Sequence, residues 1–117
     1  QEFKDARIPF SRLHDTEGNM GSGEFVNIHC IFKNFDADVN DPASYSFECT
    51  DVYLNDIINA GTKIFYRLGE TIENKCMVVR NHTFVPKDFQ KWAEICEHII
   101  RHYNEGWANG YHWNIEY

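Results

Sequence analysis

Two short runs of the sequence place charged and polar side chains where a strand is expected to end. The first is Arg12-Leu13-His14-Asp15, in which Arg12 and His14 share one face because side chains alternate along a strand. An arginine and a histidine that point the same way can contact a substrate, or they can pair with neighbouring carboxylates in a purely structural role. The spacing alone leaves both interpretations open.

The second run contains Arg67, Gly69 and Glu70, at the end of a stretch rich in β-forming residues. An arginine in a buried strand needs a carboxylate partner or a polar cavity, because an unpaired buried charge is costly. Glu70 follows the carboxyl end of the strand, where a ligand is expected to bind. A structural ion pair is equally compatible with this pattern, and no nucleophile and base can be assigned between these residues.

Two other groups have the spacing of metal ligands. Asp36, Asp38 and Asn40 fall at positions one, three and five of a calcium loop. Position six is Asp41, where the EF-hand needs Gly, and position twelve is Phe47, where it needs Glu, so an EF-hand is excluded and a different kind of cation site is the alternative.

His98 and His102 are one helical turn apart and can share a metal ion. Their sequence, His-Ile-Ile-Arg-His, lacks the Glu of the His-Glu-x-x-His signature. We expect both histidines on a solvated helix face, and we predict no metal ligand and no cofactor in this chain.

The elements that position these residues are three strands and two helices. The strands are predicted at residues 7–13, 63–68 and 113–117. A helix is predicted at residues 50–60, with Thr50 as its N-cap and Gly61 as its C-cap. Residues 26–32 alternate between apolar and polar side chains, which favours a short extra strand.

The second helix is predicted to open at Pro86 and to end at Gly106. Its apolar face is expected to consist of Phe89, Trp92, Ala93, Cys96, Ile99, Ile100 and Tyr103, and its polar face of Lys91, Glu94, Glu97, His98, Arg101 and His102.

The order strand, helix, strand, helix, strand implies parallel pairing with right-handed crossovers, and therefore an α/β fold. Parallel sheets need cover on both faces, yet two helices cover only one side of three strands. A (β/α)8 barrel of about 250 residues would supply the missing cover. We therefore expect residues 1–117 to be one fragment of a TIM barrel domain, comprising about strands two to four with their helices.

Composition narrows the classes of partner. A net charge of −7 without a basic cluster opposes nucleic-acid binding, and no apolar run approaches the roughly 18 residues of a membrane span. The four cysteines are scattered without a Cys-x-x-Cys pair, which favours free thiols in a reducing compartment such as the cytoplasm. The compartment is otherwise left unassigned.

Three motifs together resemble glycoside hydrolase family 39, the β-xylosidase and α-L-iduronidase group. They are Arg12-Leu13-His14-Asp15, Tyr66-Arg67-Leu68-Gly69-Glu70, and the run from Pro86-Lys87-Asp88-Phe89 to Trp107-Ala108-Asn109-Gly110. The resemblance covers nearly all of the chain. It implies a retaining hydrolase of O-glycosidic bonds with a β-xyloside-like substrate, in which one carboxylic acid protonates the leaving oxygen and a second carboxylate attacks the sugar.

The same resemblance implies roles for individual residues. His14 is implied to contact the sugar where cleavage occurs, Arg12 and Asp15 to support it, and Glu70 is a further substrate-binding candidate. The family's two catalytic glutamates end its fourth and seventh strands, so neither is expected here, and Glu116 lies at the beginning of its strand. The chain alone is therefore expected to be inactive, with a glycoside and the remainder of the barrel as its partners.

A different class of function also fits the sequence. Aromatic residues make up 15% of the chain, and a sheet covered on one side exposes apolar surface. A small self-associating module that binds carbohydrate or protein is the alternative prediction.

Overall fold

The computed structural model describes residues 5–13, 26–69 and 85–117. Within these ranges the chain forms two β-strands, three α-helices and one 3-10 helix. In chain order they are β1 (Phe10–Arg12), α1 (Ile28–Ile31), the 3-10 helix (Pro42–Ser44), α2 (Glu48–Asn59), β2 (Lys63–Phe65) and α3 (Phe89–Glu105).

The two strands pair in parallel, which confirms the predicted pairing. Phe10 lies opposite Lys63, and Arg12 lies opposite Phe65. The amide of Lys63 donates to the carbonyl of Pro9 over 3.0 Å, so the proline sits just before the strand, where its missing N–H costs nothing. Both strands are shorter than the sequence predicts.

The third predicted strand contributes one parallel bridge, between Glu116 and Phe65, and the Tyr66 amide donates to the Glu116 carbonyl over 2.7 Å. Asn114 interrupts the extended backbone because its φ is +55°, a conformation that asparagine tolerates better than most residues. The side chain of Asn104 then holds Ile115 by accepting from its amide (2.8 Å) and donating to its carbonyl (3.0 Å).

The sheet is buried on one side only. Leu13, Ile64 and Tyr66 are 3%, 2% and 1% exposed, whereas Phe10 and Phe65 on the opposite side are 41% and 39% exposed. α2 packs against β2 on the buried side. We call the uncovered side the exposed sheet face; it consists of Phe10, Arg12, Lys63 and Phe65.

The start of α2 differs from the prediction. The helix begins at Glu48 with Phe47 as its N-cap, and Thr50 lies inside the first turn, where it is 1% exposed. The Asp51 amide donates to the Phe47 carbonyl over 2.7 Å, which places Phe47 at the cap position and Thr50 inside the helix. The helix ends at Asn59 with Ala60 as its C-cap, one residue before the predicted Gly61, which takes a φ of +87° and donates its amide to the Ile58 carbonyl.

The start of α3 also differs. The Asp88 carboxylate accepts from the Lys91 amide over 3.1 Å, so Asp88 is the N-cap and the helix begins at Phe89. Pro86 precedes this cap by two residues and lies outside the helix. Gly106 ends the helix with a φ of +78°, as predicted.

The predicted faces of α3 are wrong for both histidines. His98 and His102 are 5% and 1% exposed, and Phe89 is 67% exposed. The histidine rings pack against aromatic side chains of the segment before α2 and the loop after α3. The buried residues of α3 are Ile95, Cys96, His98, Ile99, His102 and Tyr103.

The predicted strand at residues 26–32 is a short helix instead. The amides of Ile31 and Phe32 donate to the carbonyls of Asn27 and Ile28, four residues earlier, as in an α-helix. Ile28, Ile31 and Phe32 are all buried at this helical spacing. The alternation in the sequence is therefore outweighed by contacts that only the folded chain provides.

Candidate functional site

Arg12 is the one predicted substrate contact that lies within the described residues. It ends β1 on the exposed sheet face, and its side chain is exposed. Among the described residues, no side chain forms an ion pair or hydrogen bond with its guanidinium. Five N–H donors at the carboxyl end of a parallel strand are thus available to a polar ligand.

The other three predicted contacts, His14, Asp15 and Glu70, lie outside the described residues, so their proximity stays a prediction. Their chain neighbours occupy the carboxyl edge of the sheet. The Leu13 amide donates to the Phe65 carbonyl over 3.0 Å, and the Gly69 carbonyl accepts from the Ile28 amide over 3.1 Å.

The segment before and within α1 is attached to this edge. The Tyr66 hydroxyl donates to the Val26 carbonyl over 2.8 Å, and the Ile28 amide donates to the Gly69 carbonyl. Asn27, between these two anchors, is 1% exposed. Asn27 was not among the predicted site residues, although an asparagine before an apolar run is a recognised signal for the start of a helix.

His102 joins three parts of the fold. Its Nδ1 is 2.8 Å from the carbonyl oxygen of Trp107, and its Nε2 is 2.9 Å from the Asp51 carboxylate. Each ring nitrogen is therefore occupied by one oxygen atom, one from the backbone and one from a side chain. Neither nitrogen is left to take a proton from a nucleophile, so this pair acts as a structural connection between α3, α2 and the loop after α3.

Aromatic rings enclose both histidines. Phe47 stacks on His102 with ring centroids 3.6 Å apart, and Trp107 packs edge-on against His98 at 4.7 Å. The Nδ1 of His98 lies 2.7 Å from the Glu94 carbonyl of its own helix. Within residues 5–13, 26–69 and 85–117, no third ligand joins the two histidines to form a metal site.

The acidic residues that resemble part of a calcium loop stabilise local turns. The Asp38 carboxylate accepts from the Asn40 amide over 2.9 Å, and the Asp41 carboxylate accepts from the Ala43 amide over 2.9 Å. The Asp36 amide donates to the Asn34 side chain. These bonds are typical of aspartate and asparagine turns and explain the residue types without a cation.

Comparison with solved structures shows a likeness to a glucosidase. The chain is similar to a glucosidase from Croceicoccus marinus of known crystal structure, with 27% identity and a TM-score of 0.68. The similarity covers 97% of this chain and 22% of that one, so the chain spans about a fifth of the glucosidase. No family model matches the chain, and no curated protein is significantly similar to it.

This likeness supports a glycosidase-like fold, and it does not distinguish family 39 from other glycosidases. In the part of the chain that the structure describes, no helix combines the length and the apolar character that crossing a bilayer requires.

Proposed function

We propose that this chain is part of the (β/α)8 barrel of a retaining glycoside hydrolase. The observation that carries the proposal is the likeness to a glucosidase over 97% of the chain. The one-sided cover of the sheet supports it independently, because parallel strands in proteins are nearly always covered on both faces.

The exposed sheet face has the composition of a barrel interior. Phe10 and Phe65 are large apolar side chains about 40% exposed, and they alternate along their strands with residues buried under the helices. In a barrel, inward-pointing side chains from neighbouring strands fill the centre in layers. The remaining strands of a barrel would cover this face and remove both phenylalanines from water.

Arg12 marks the end of the barrel where a sugar would bind. Substrates of such barrels bind at the carboxyl ends of the strands, and Arg12 occupies that end of β1. Its guanidinium would donate to sugar hydroxyls beside His14 and Asp15, with Glu70 on the neighbouring strand. The two catalytic carboxylates would lie about 5 Å apart on strands outside this chain. A β-xyloside-like substrate follows from the family 39 resemblance.

The coding sequence after Tyr117 tests this proposal. An Asn-Glu pair is expected within about fifteen residues, the length of one strand and a turn. Its absence would overturn the assignment to this group of glycosidases.

The encoded polypeptide can then be assayed on aryl β-xylosides and aryl β-glucosides. Arg12→Ala should lower kcat/KM by roughly 10- to 100-fold, because a hydrogen bond from a charged group contributes about 1.5–3 kcal/mol. Lys63→Ala is the matched control, since Lys63 lies on the same face at the opposite end of the sheet and its Nζ is 5.5 Å from the Phe10 ring centroid. Equal losses in both variants would contradict a sugar-binding role for Arg12.

The exposed sheet face also favours the second candidate, a self-associating binding module. A second copy of the chain would then cover Phe10 and Phe65. Sedimentation combined with a thermal melt separates the two functions: a discrete oligomer that melts cooperatively supports the module, and a monomeric or aggregating chain supports the barrel fragment.

A further inference from the structure

A cavity of about 340 Å³ lies between α1 and the start of α2, away from Arg12 on the exposed sheet face. Two cysteines line it: Cys30 on α1, which is half-buried, and Cys49 in the first turn of α2, which is exposed. Both are free thiols. The other lining residues are Lys33, Tyr45, Ser46, Glu48 and Thr50.

The two walls that carry the cysteines are tied together. The Ser46 amide donates to the Ile31 carbonyl over 2.8 Å, which joins the last residue of α1 to the segment that leads into α2. Cys30 is adjacent to Ile31, and Cys49 follows Ser46 by three residues. The Cys30 amide is itself fixed by the Asn27 carbonyl over 3.0 Å. The fold therefore holds both thiols beside one cavity although 18 residues separate them in the sequence.

We propose that Cys30 and Cys49 are a redox-sensitive pair that glutathione disulfide converts to an intramolecular disulfide. The lining contains one ammonium group, on Lys33, and one carboxylate, on Glu48, which are opposite in charge to the carboxylates and the amine of the tripeptide. Cys49 reacts first because it is the more exposed thiol. This inference is independent of the proposed glycosidase function.

The chemistry proceeds in two thiol exchanges. The Cys49 thiolate attacks one sulfur of glutathione disulfide, whose S–S bond breaks, and one glutathione leaves as its thiolate. The Cys30 thiolate then attacks Sγ of Cys49, forming the protein disulfide and releasing the second glutathione. Two protein thiols are oxidised, one glutathione disulfide is reduced, and the two thiol protons pass to the two glutathione molecules.

The other described cysteine supplies an internal control. Cys96 is 7% exposed on α3, and burial raises the pKa of its thiol to about 12. A buried, protonated thiol is a poor nucleophile, so Cys96 should stay reduced under the same conditions.

The experiment incubates the purified chain with glutathione disulfide, quenches by acid at intervals, and maps each cysteine by peptide mass spectrometry. The expected course is a transient glutathione adduct on Cys49 followed by a Cys30–Cys49 disulfide. Cys30→Ser should accumulate the Cys49 adduct roughly tenfold over the wild-type level, because the second exchange is blocked. Cys49→Ser should abolish the disulfide, and Cys96→Ser should behave as wild type.

Three results would overturn the proposal. They are a persistent Cys49 adduct in the wild-type chain, a disulfide of either cysteine with Cys76, and a disulfide that forms only after denaturant is added. Circular dichroism of each variant before oxidation establishes that it is folded, so a missing disulfide is not an effect of unfolding.

Discussion

Replacing His102 with phenylalanine should destabilise the fold far more than breaking a surface ion pair does. Phenylalanine keeps a flat ring against Phe47, whose centroid lies 3.6 Å from that of His102, but it removes both hydrogen bonds. The Trp107 carbonyl and the Asp51 carboxylate each lose their His102 partner. His102→Phe therefore isolates the polar role of the ring from its packing.

The size of the effect follows from burial. Leaving a buried polar group without its hydrogen-bond partner costs about 1–3 kcal/mol, and His102→Phe does this to two groups. The Asp51 side chain is 19% exposed, so water partly replaces the bond lost there, and we expect a total loss of about 3 kcal/mol. In a urea titration this loss of free energy lowers the unfolding midpoint by about 1–3 M, because the free energy of unfolding of a small protein falls by about 1–3 kcal/mol per M urea.

Arg101→Gln is the matched control on the same helix. It breaks the Arg101–Glu105 pair, whose atoms are 3.2 Å apart but whose side chains are 40% and 64% exposed. An exposed pair of this kind contributes at most about 0.5 kcal/mol. Asp51→Asn combined with His102→Phe should show a coupling of about 1–3 kcal/mol between the two sites. If His102→Phe lowers the urea midpoint no more than Arg101→Gln, the proposed connection between α3 and α2 is refuted.

Two further predictions concern Gly110 and Cys96. Gly110→Ala should lower the free energy of unfolding by about 2–3 kcal/mol, because its new Cβ would collide with the backbone carbonyl of His102. Gly69→Ala is the control, because a Cβ at that position meets nothing within 4 Å. It should change the free energy of unfolding by less than about 0.5 kcal/mol in the same urea titration. Equal effects would contradict the close approach. Burial raises the pKa of the Cys96 thiol from 9.0 to about 12, so the unfolded chain loses this proton at a lower pH than the folded chain does. The free energy of unfolding therefore falls as pH rises from 9.0 towards 12. Cys96→Ala should show a shallower decline in urea midpoint over that window than the wild type, and parallel curves would contradict it.

The parallel pairing of β1 and β2 was predictable because it depends on local patterns. Short β-forming runs flank a helical segment, and Gly61 marks the end of α2 with the positive φ that only glycine adopts readily. Neighbouring elements joined in this way favour parallel strands. The position of Arg12 at a strand end followed directly from that pattern.

The errors arose where contacts distant in sequence decide the structure. In residues 26–32, apolar side chains fit both an alternating and a helical spacing, and the bond from the Ile28 amide to the Gly69 carbonyl, 41 residues away, favours the helix. His102 lies three residues after Ile99 on the buried stripe of α3, but its polarity suggested a solvated face. Its partner Asp51 is 51 residues earlier, and no local pattern reveals that pairing.

The proposed function requires that the other strands of a glycosidase barrel cover the exposed sheet face and that a sugar binds beside Arg12. The most direct test is a crystal structure, with bound xylose, of the polypeptide that continues past Tyr117. We predict further parallel strands that bury Phe10 and Phe65, with the Arg12 guanidinium within hydrogen-bond distance of a sugar hydroxyl. A structure in which a second copy of residues 1–117 covers that face, with the sugar bound elsewhere, would contradict it.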